Sequence, residues 1–192
     1  MNWFKLAQIK ETLPYFEEFA DMGDYVPNES RLMERLQRGV GASIVSVIGS
    51  GDSGVAYLLS NGDVLKITTN AQEGRVAMFF LENPNPHVVK YKQIWKDGDL
   101  FFIVMERIDS MASSKYGKEF DYIEKLLDSK RCYNPHCAYG VIEQDKIINS
   151  DIKKQILSYI SYLKNINYKV FDFLNINNIG IKDGRLIFFD VT

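Results

Sequence analysis

Residues 47–68 constrain the fold more than any other stretch. They read Val47-Ile48-Gly49-Ser50-Gly51-Asp52-Ser53-Gly54-Val55-Ala56-Tyr57-Leu58-Leu59-Ser60-Asn61-Gly62-Asp63-Val64-Leu65-Lys66-Ile67-Thr68. Gly49, Gly51 and Gly54 fit G-x-G-x-x-G. Lacking Cβ atoms, such a turn lets the backbone approach a bulky anion and aim its amides at phosphate oxygens. The residues that follow decide which fold uses it. A dinucleotide-binding fold places a helix after the glycines. Here Val55, Tyr57 and Leu59 alternate along the chain, and Asn61-Gly62 is a strong hairpin signal. The element after the glycines is therefore expected to be a strand. A Walker loop needs Gly-Lys-Ser/Thr, and no lysine follows Gly54. The stretch predicts strand, glycine turn, strand, hairpin, and a third strand carrying Lys66.

The chain has 192 residues, 46% of them hydrophobic and 25% charged, enough to bury a core in one large domain or two small lobes. A formal net charge of -2 argues against bulk attraction to nucleic acid or anionic lipid. No apolar run is long enough to cross a bilayer, so no membrane role is expected. Met1 to Glu11 has no sustained apolar core and no small-residue cleavage site, which points to a cytoplasmic protein. In that compartment Cys132 and Cys137 are expected as ordinary loop residues. A disulfide is disfavoured there, and with His136 they supply too few ligands for zinc.

Residues 1–40 read as helical and chemically silent. Trp3, Phe4, Leu6 and Ile9 begin an apolar pattern that Pro14 breaks or restarts. Ser30 is placed to cap a short helix that Gly39 would end. Leu32 and Leu36 share one face of it, and Arg31, Arg35 and Arg38 lie on another. Ser43 to Ile48 reads as the strand entering the glycine turn. Thr68-Thr69-Asn70 signals a helix from about Ala71 to Leu81, with Glu73, Ala77 and Phe80 on one face. A second hairpin around Asp97-Gly98 joins the run from His87 to Trp95 to the apolar run Leu100 to Glu106. His87 is expected to be structural. Phe120 to Leu127 reads as a helix and Arg131 to Gly140 as a loop. Ile148, Ile152, Ile156, Ile160 and Leu163 mark an amphipathic helix.

The last stretch carries an acid, Asp172, then Asn177 and Asn178, a strand, the Asp183-Gly184 turn, and an apolar strand ending at Asp190. Taken together, the glycine turn, Lys66, the acid-bearing helix, the apolar strand ending at Glu106 and this acidic end resemble the protein-kinase-like superfamily. The resemblance runs from about Ser43 to Thr192 and rests on the order of several short motifs. It implies an α+β, protein-kinase-like two-lobe fold: an antiparallel small-lobe sheet and a reduced helical large lobe. Residues 1–40 would be a helical extension and 41–108 the small lobe. Residues 109–192 would be a large lobe ending just after the metal-binding aspartate. Compact proteins of this kind are associated with small viral or bacterial genomes.

By the same resemblance the cofactors are ATP and Mg2+. Gly49, Ser50, Gly51, Asp52, Ser53 and Gly54 would cover the nucleotide. Lys66 would orient its phosphates, with Glu73 as the lysine's partner and Glu82 a weaker candidate. Backbone groups at Glu106 and Ile108 would meet the adenine edge. Asp172 would position the acceptor hydroxyl and take its proton. Asp190 and an asparagine would hold magnesium, Asn177 by spacing or Asn178 by context.

Several positions depart from the family pattern. Val170 and Phe171 stand where histidine and arginine usually precede the acid, and Leu174 where a cation usually follows it. The metal motif is Asp190-Val191-Thr192, and the sequence ends there, without an activation segment or docking helices. Two functions follow from the resemblance. One is a phosphotransferase acting on a protein or small-molecule hydroxyl. The other is a pseudokinase-like module that works by binding a partner protein.

Overall fold

The computed structural model describes residues 29–51, 54–110, 116–132, 134–165 and 178–189. The architecture is α+β, as expected. The elements run α1 (Glu29–Val40), β1 (Ile44–Gly51), β2 (Gly54–Leu59), β3 (Val64–Thr68), α2 (Ala71–Glu82), β4 (Tyr91–Asp97), β5 (Leu100–Met105) and β6 (Asp109–Ser110). There follow α3 (Gly117–Ser129), α4 (Pro135–Gln144), α5 (Ser150–Asn165), β7 (Ile179–Lys182) and β8 (Arg185–Phe188). Two compact units share them. The first holds residues 1–84 and 90–107, the second 85–89 and 108–192.

The first unit is a five-stranded antiparallel sheet in the order β1-β2-β3-β5-β4. Its turns follow from local chemistry. Gly62 and Gly98 take positive φ, 86° and 57°, at the Asn-Gly and Asp-Gly pairs. Strand alternation divides the side chains between two helix-covered faces. Leu65, Ile67, Leu100, Phe102 and Val104 join Tyr57 and Leu59 in a core closed by Leu32 and Leu36 of α1. The opposite face receives α2, which packs on β3, β4 and β5. Hence β5, central and covered on both sides, is buried at all six positions.

The helix before the sheet therefore packs on it, as its Leu32 and Leu36 stripe requires. It runs through Gly39 to Val40, and the left-handed residue that ends it is Gly41, at φ 64°. Asp63, 5% exposed, accepts two 2.7 Å hydrogen bonds from the Lys92 ammonium and ties the β2–β3 hairpin to β4.

The second unit packs α4 on α5 and α5 on β8. β6, β7 and β8 form a small antiparallel sheet. Asp183 and Gly184 both take positive φ, 50° and 75°, in the β7–β8 turn read from sequence. α5 presents Ile152, Ile156, Ile160 and Leu163 to the core. Tyr159 stacks on Phe188, ring centroids 3.9 Å apart. Residues 85–89 belong here by backbone pairing: Phe188 N–H donates to His87 O and Val89 N–H to Phe188 O, at 2.8 and 2.9 Å.

Two local expectations are corrected. Residues 135–144 form a helix, not a loop. Asn134 accepts the Cys137 amide and Pro135 occupies the first turn, where its missing N–H costs nothing. Cys132 and Cys137 are joined by a disulfide that links the end of α3 to α4, so neither is an ordinary loop thiol. With both sulfurs so bonded they are not zinc ligands, and among the described residues no His/Cys/Asp/Glu group could hold a metal ion. Among the described residues, too, no helix is long and apolar enough to cross a membrane.

His87 sits between the backbone pairs and α5, with Nε2 3.2 Å from the Ser158 hydroxyl. Burial, helped by the nearby Arg185 charge, holds its pKa below the ordinary 6.5, against the raising effect of the Leu186 backbone carbonyl as an acceptor. The unfolded chain therefore binds more protons at this position than the folded one. The stability that neutral His87 preserves is complete above the unfolded value and is lost as pH falls through it toward the lower folded value. Urea melts of the wild type should show a midpoint that declines between about pH 7 and pH 5. In His87→Gln that decline should flatten, and an unchanged slope would contradict the assignment.

Candidate functional site

The candidate site of the first unit is built around Lys66. Alternation on β3 sends Leu65 and Ile67 into the α1 core and turns Lys66 to the α2 face. α2 starts where it does because Asn70 caps it: its side-chain oxygen accepts the Gln72 and Glu73 amides at 2.9 and 3.3 Å. Thr68 in turn accepts the Asn70 amide at 3.1 Å. This start places Glu73 in the first turn, against β3.

There the Glu73 carboxylate forms an ion pair with the Lys66 ammonium. The two side chains are 10% and 20% exposed, so the charges meet in a partly dry setting where each needs the other. The reach is short because α2 lies close to the sheet, and Gly74 permits that closeness. A Cβ built there would lie 2.1 Å from a Phe101 ring carbon. The family resemblance implied Lys66 and Glu73 as partners, and the structure pairs the two side chains.

Register adds a feature that the sequence reading missed. Gly49 pairs with Ala56, Ala56 with Lys66, and Lys66 with Ile103, so these residues form one row across four strands. Directly opposed residues share a face. The two neighbours of Lys66 toward the sheet edge are thus the smallest available, and a Cβ at Gly49 would meet nothing within 4 Å. The row therefore sets no bulky side chain between the sheet edge and the ammonium. Ala56 could have been found by counting two residues on from Gly54 and assuming the hairpin register.

The glycine turn is the β1–β2 hairpin, with Gly51 opposite Gly54. Gly54 is sterically required, since a Cβ there would sit 2.3 Å from the Ile67 carbonyl oxygen on β3. Ser50 lies on β1, opposite Val55. Asp52 and Ser53 lie outside the described residues, as do Asp172, Asn177 and Asp190. Asn178 is described, and its carbonyl accepts the Phe189 amide at 3.0 Å. Glu82 ends α2, about two and a half turns from Lys66's partner.

Glu106 follows β5. Its amide donates to Lys90 O at 3.0 Å while its carboxylate accepts the Lys90 amide at 3.1 Å. That amide is therefore committed within the unit. Ile108 belongs to the second unit, where its methyl lies against Gly180.

The arrangement can hold a polyanion. A cation fixed by a carboxylate cannot swing away, and open space flanks it on a glycine-bearing hairpin. No protein-family model and no curated protein matches the chain. Among solved structures it is similar to one described as the crystal structure of Rad53 1-466 in complex with AMP-PNP. The identity is 18% and the TM-score 0.49, over 79% of this chain and 38% of that one. The chain thus spans well under two thirds of that structure, and a likeness at this level assigns neither family nor activity.

The Gly74 contact is directly testable. Gly74→Ala should lower stability by about 1–3 kcal/mol in urea melts, because the methyl has no room against Phe101. Phe101→Leu in the same chain should restore part of that loss. A Gly74→Ala protein as stable as wild type would show that α2 does not lie this close to β5.

Proposed function

We propose that the chain is a kinase-like, ATP- and Mg2+-dependent phosphotransferase acting on a hydroxyl of a protein or small molecule. The observation that carries this reading is the Lys66–Glu73 ion pair beside the Gly49–Ala56–Lys66 row. A lysine held by a carboxylate on the following helix, next to a glycine hairpin, is the phosphate-orienting device of the protein-kinase-like family. The motif order in the sequence supports the same reading. So does the five-stranded antiparallel sheet with one acid-bearing helix against it.

Phosphoryl transfer asks a protein for alignment and charge neutralisation more than for covalent chemistry. In this reading Lys66 holds the nucleotide phosphates, and the glycine hairpin covers them with backbone amides. The carbonyl of Glu106 and the backbone of Ile108 meet the adenine edge, since the Glu106 amide is already bonded to Lys90. The acceptor oxygen attacks the terminal phosphorus, the bond to the bridging oxygen breaks, and the hydroxyl proton passes to Asp172. Asp190 with Asn177 or Asn178 offers the oxygen-only donor set that a hard cation such as Mg2+ takes. When bound, the metal would neutralise phosphate charge.

A second reading has a specific feature in its favour. Val170, Phe171 and Leu174 stand where family members carry histidine, arginine and a cation. A site that binds nucleotide without these groups fits a pseudokinase-like module acting through a partner protein.

Thermal unfolding with and without ATP and Mg2+ tests both readings. At a hundredfold excess over Kd, nucleotide should add about 2.7 kcal/mol of stability, a shift of several degrees. Lys66→Met should lose most of the shift. No shift in the wild type would end both readings. Radiolabel transfer from ATP then divides them: the enzyme predicts transfer that falls at least about a hundredfold in Asp172→Ala. A wild-type thermal shift with no transfer leaves the binding module.

A further inference from the structure

The arginine stripe of α1 has no part in the site described above, and its place in the fold gives it a neighbour that the sequence alone could not. Arg31, Arg35 and Arg38 recur on the solvent side of the helix, while Leu32 and Leu36 fill the core beneath. Between this stripe and β4 lies a cavity of about 260 Å³, lined by the three arginines, Glu34, Trp95, Asp97 and Phe102 among others. Trp95 forms an aromatic wall. It stacks on Phe102 with centroids 5.1 Å apart and planes 7° from parallel, and the Arg35 guanidinium lies 5.7 Å from its ring centroid.

We propose that this cavity is a docking site for an acidic peptide segment of a partner protein. The argument is charge, spacing and size. Arg35 is held by the indole face, so its planar fork is pre-oriented for a carboxylate. Arg38 is paired with Glu34, but the two side chains are 78% and 57% exposed, and such a surface pair exchanges readily for an incoming acid. Arg31 to Arg38 spans seven residues, about 10.5 Å along the helix. The cations are therefore strung out to meet several singly charged carboxylates, and do not converge on one dianionic phosphate. The volume lies just below the roughly 300–1,000 Å³ of cavities that enclose a whole small ligand. It suits one or two side chains of a segment lying across the surface, with Trp95 covering their apolar stems. Glu34 and Asp97 oppose a carboxylate, but Arg31, Arg35, Arg38 and Lys96 outnumber them four to two in the lining. Nucleic acid is the poorer fit, because the chain as a whole carries a formal charge of -2.

The test uses the full chain and a fluorescein-labelled alanine-based peptide with glutamate at every third or fourth position. A version with lysine in place of glutamate serves as control. Anisotropy should show binding that weakens with salt, while the Trp95 indole resonance shifts on titration. Arg35→Glu should weaken binding about tenfold or more, equivalent to about 1.4 kcal/mol, and the lysine peptide should not bind. Arg38→Glu, at a side chain that is 78% exposed, gives the same readout if Arg35→Glu disturbs the sheet. The proposal fails if the wild type does not bind the glutamate peptide. It also fails if both arginine variants bind as well as wild type, or if an oligothymidylate of equal charge binds as tightly.

Discussion

An ammonium and a carboxylate meeting in a half-dry setting are a poor source of stability, because both give up water to do so. Lys66 and Glu73 nevertheless stand at the centre of the first unit, and its architecture converges on their meeting. β3 must alternate so that Lys66 faces α2. Asn70 must cap α2 so that Glu73 falls in the first turn. Gly74 must lack a side chain so that the helix can rest on Phe101. A pair that contributes little to folding but demands this much positioning is more readily understood as a device that fixes a cation in space. An unpaired lysine on a strand samples many rotamers, whereas one tied at its tip offers a single direction of charge to an incoming anion.

The two helix-covered faces of the sheet divide the labour. One face, packed by α1, is mostly apolar and includes Tyr57, Leu65 and Val104, each at most 1% exposed, with the Gln93 side chain of β4 against Gly39 of α1. It supplies the rigidity. The other face carries Lys66, Thr68 and Ala56 along with the apolar side chains under α2, and there the polar chemistry is concentrated. β5 serves both, which is why every one of its six residues is buried. The second unit is anchored by comparable means: Tyr159 stacked on Phe188, and Asp145 gathering the Tyr122 hydroxyl and the Ile147 and Ile148 amides at 2.7–2.9 Å.

Much of this was legible because local chemistry and tertiary need agree. Asn61-Gly62, Asp97-Gly98 and Asp183-Gly184 announce their turns, since only particular residues accept positive φ. Asn70 announces its helix by capping it. The isoleucine series of α5 admits one period. Failures came where pattern was overruled or silent. Residues 135–144 look like loop by their proline, cysteine, histidine and tyrosine, yet Asn134-Pro135 is itself a helix start. The disulfide of Cys132 with Cys137 runs against the compartment argument, which says nothing of local proximity. Gly74 passes in sequence for an unhelpful glycine within a helix, and its purpose exists only once Phe101 is opposite. Ala56 gains meaning only through cross-strand register. The residues that choose the chemistry were visible as types, while those that make space for it were visible only in three dimensions.

The central claim is that Lys66 acts on a bound nucleotide as one half of a coupled pair. A double-mutant cycle over Lys66→Met and Glu73→Gln, read by calorimetric affinity for ATP with Mg2+, tests it most directly. Coupling predicts that each single change weakens binding and that the double change costs far less than the sum of the two. Additive effects, or a wild type with no measurable affinity for the nucleotide, would contradict it.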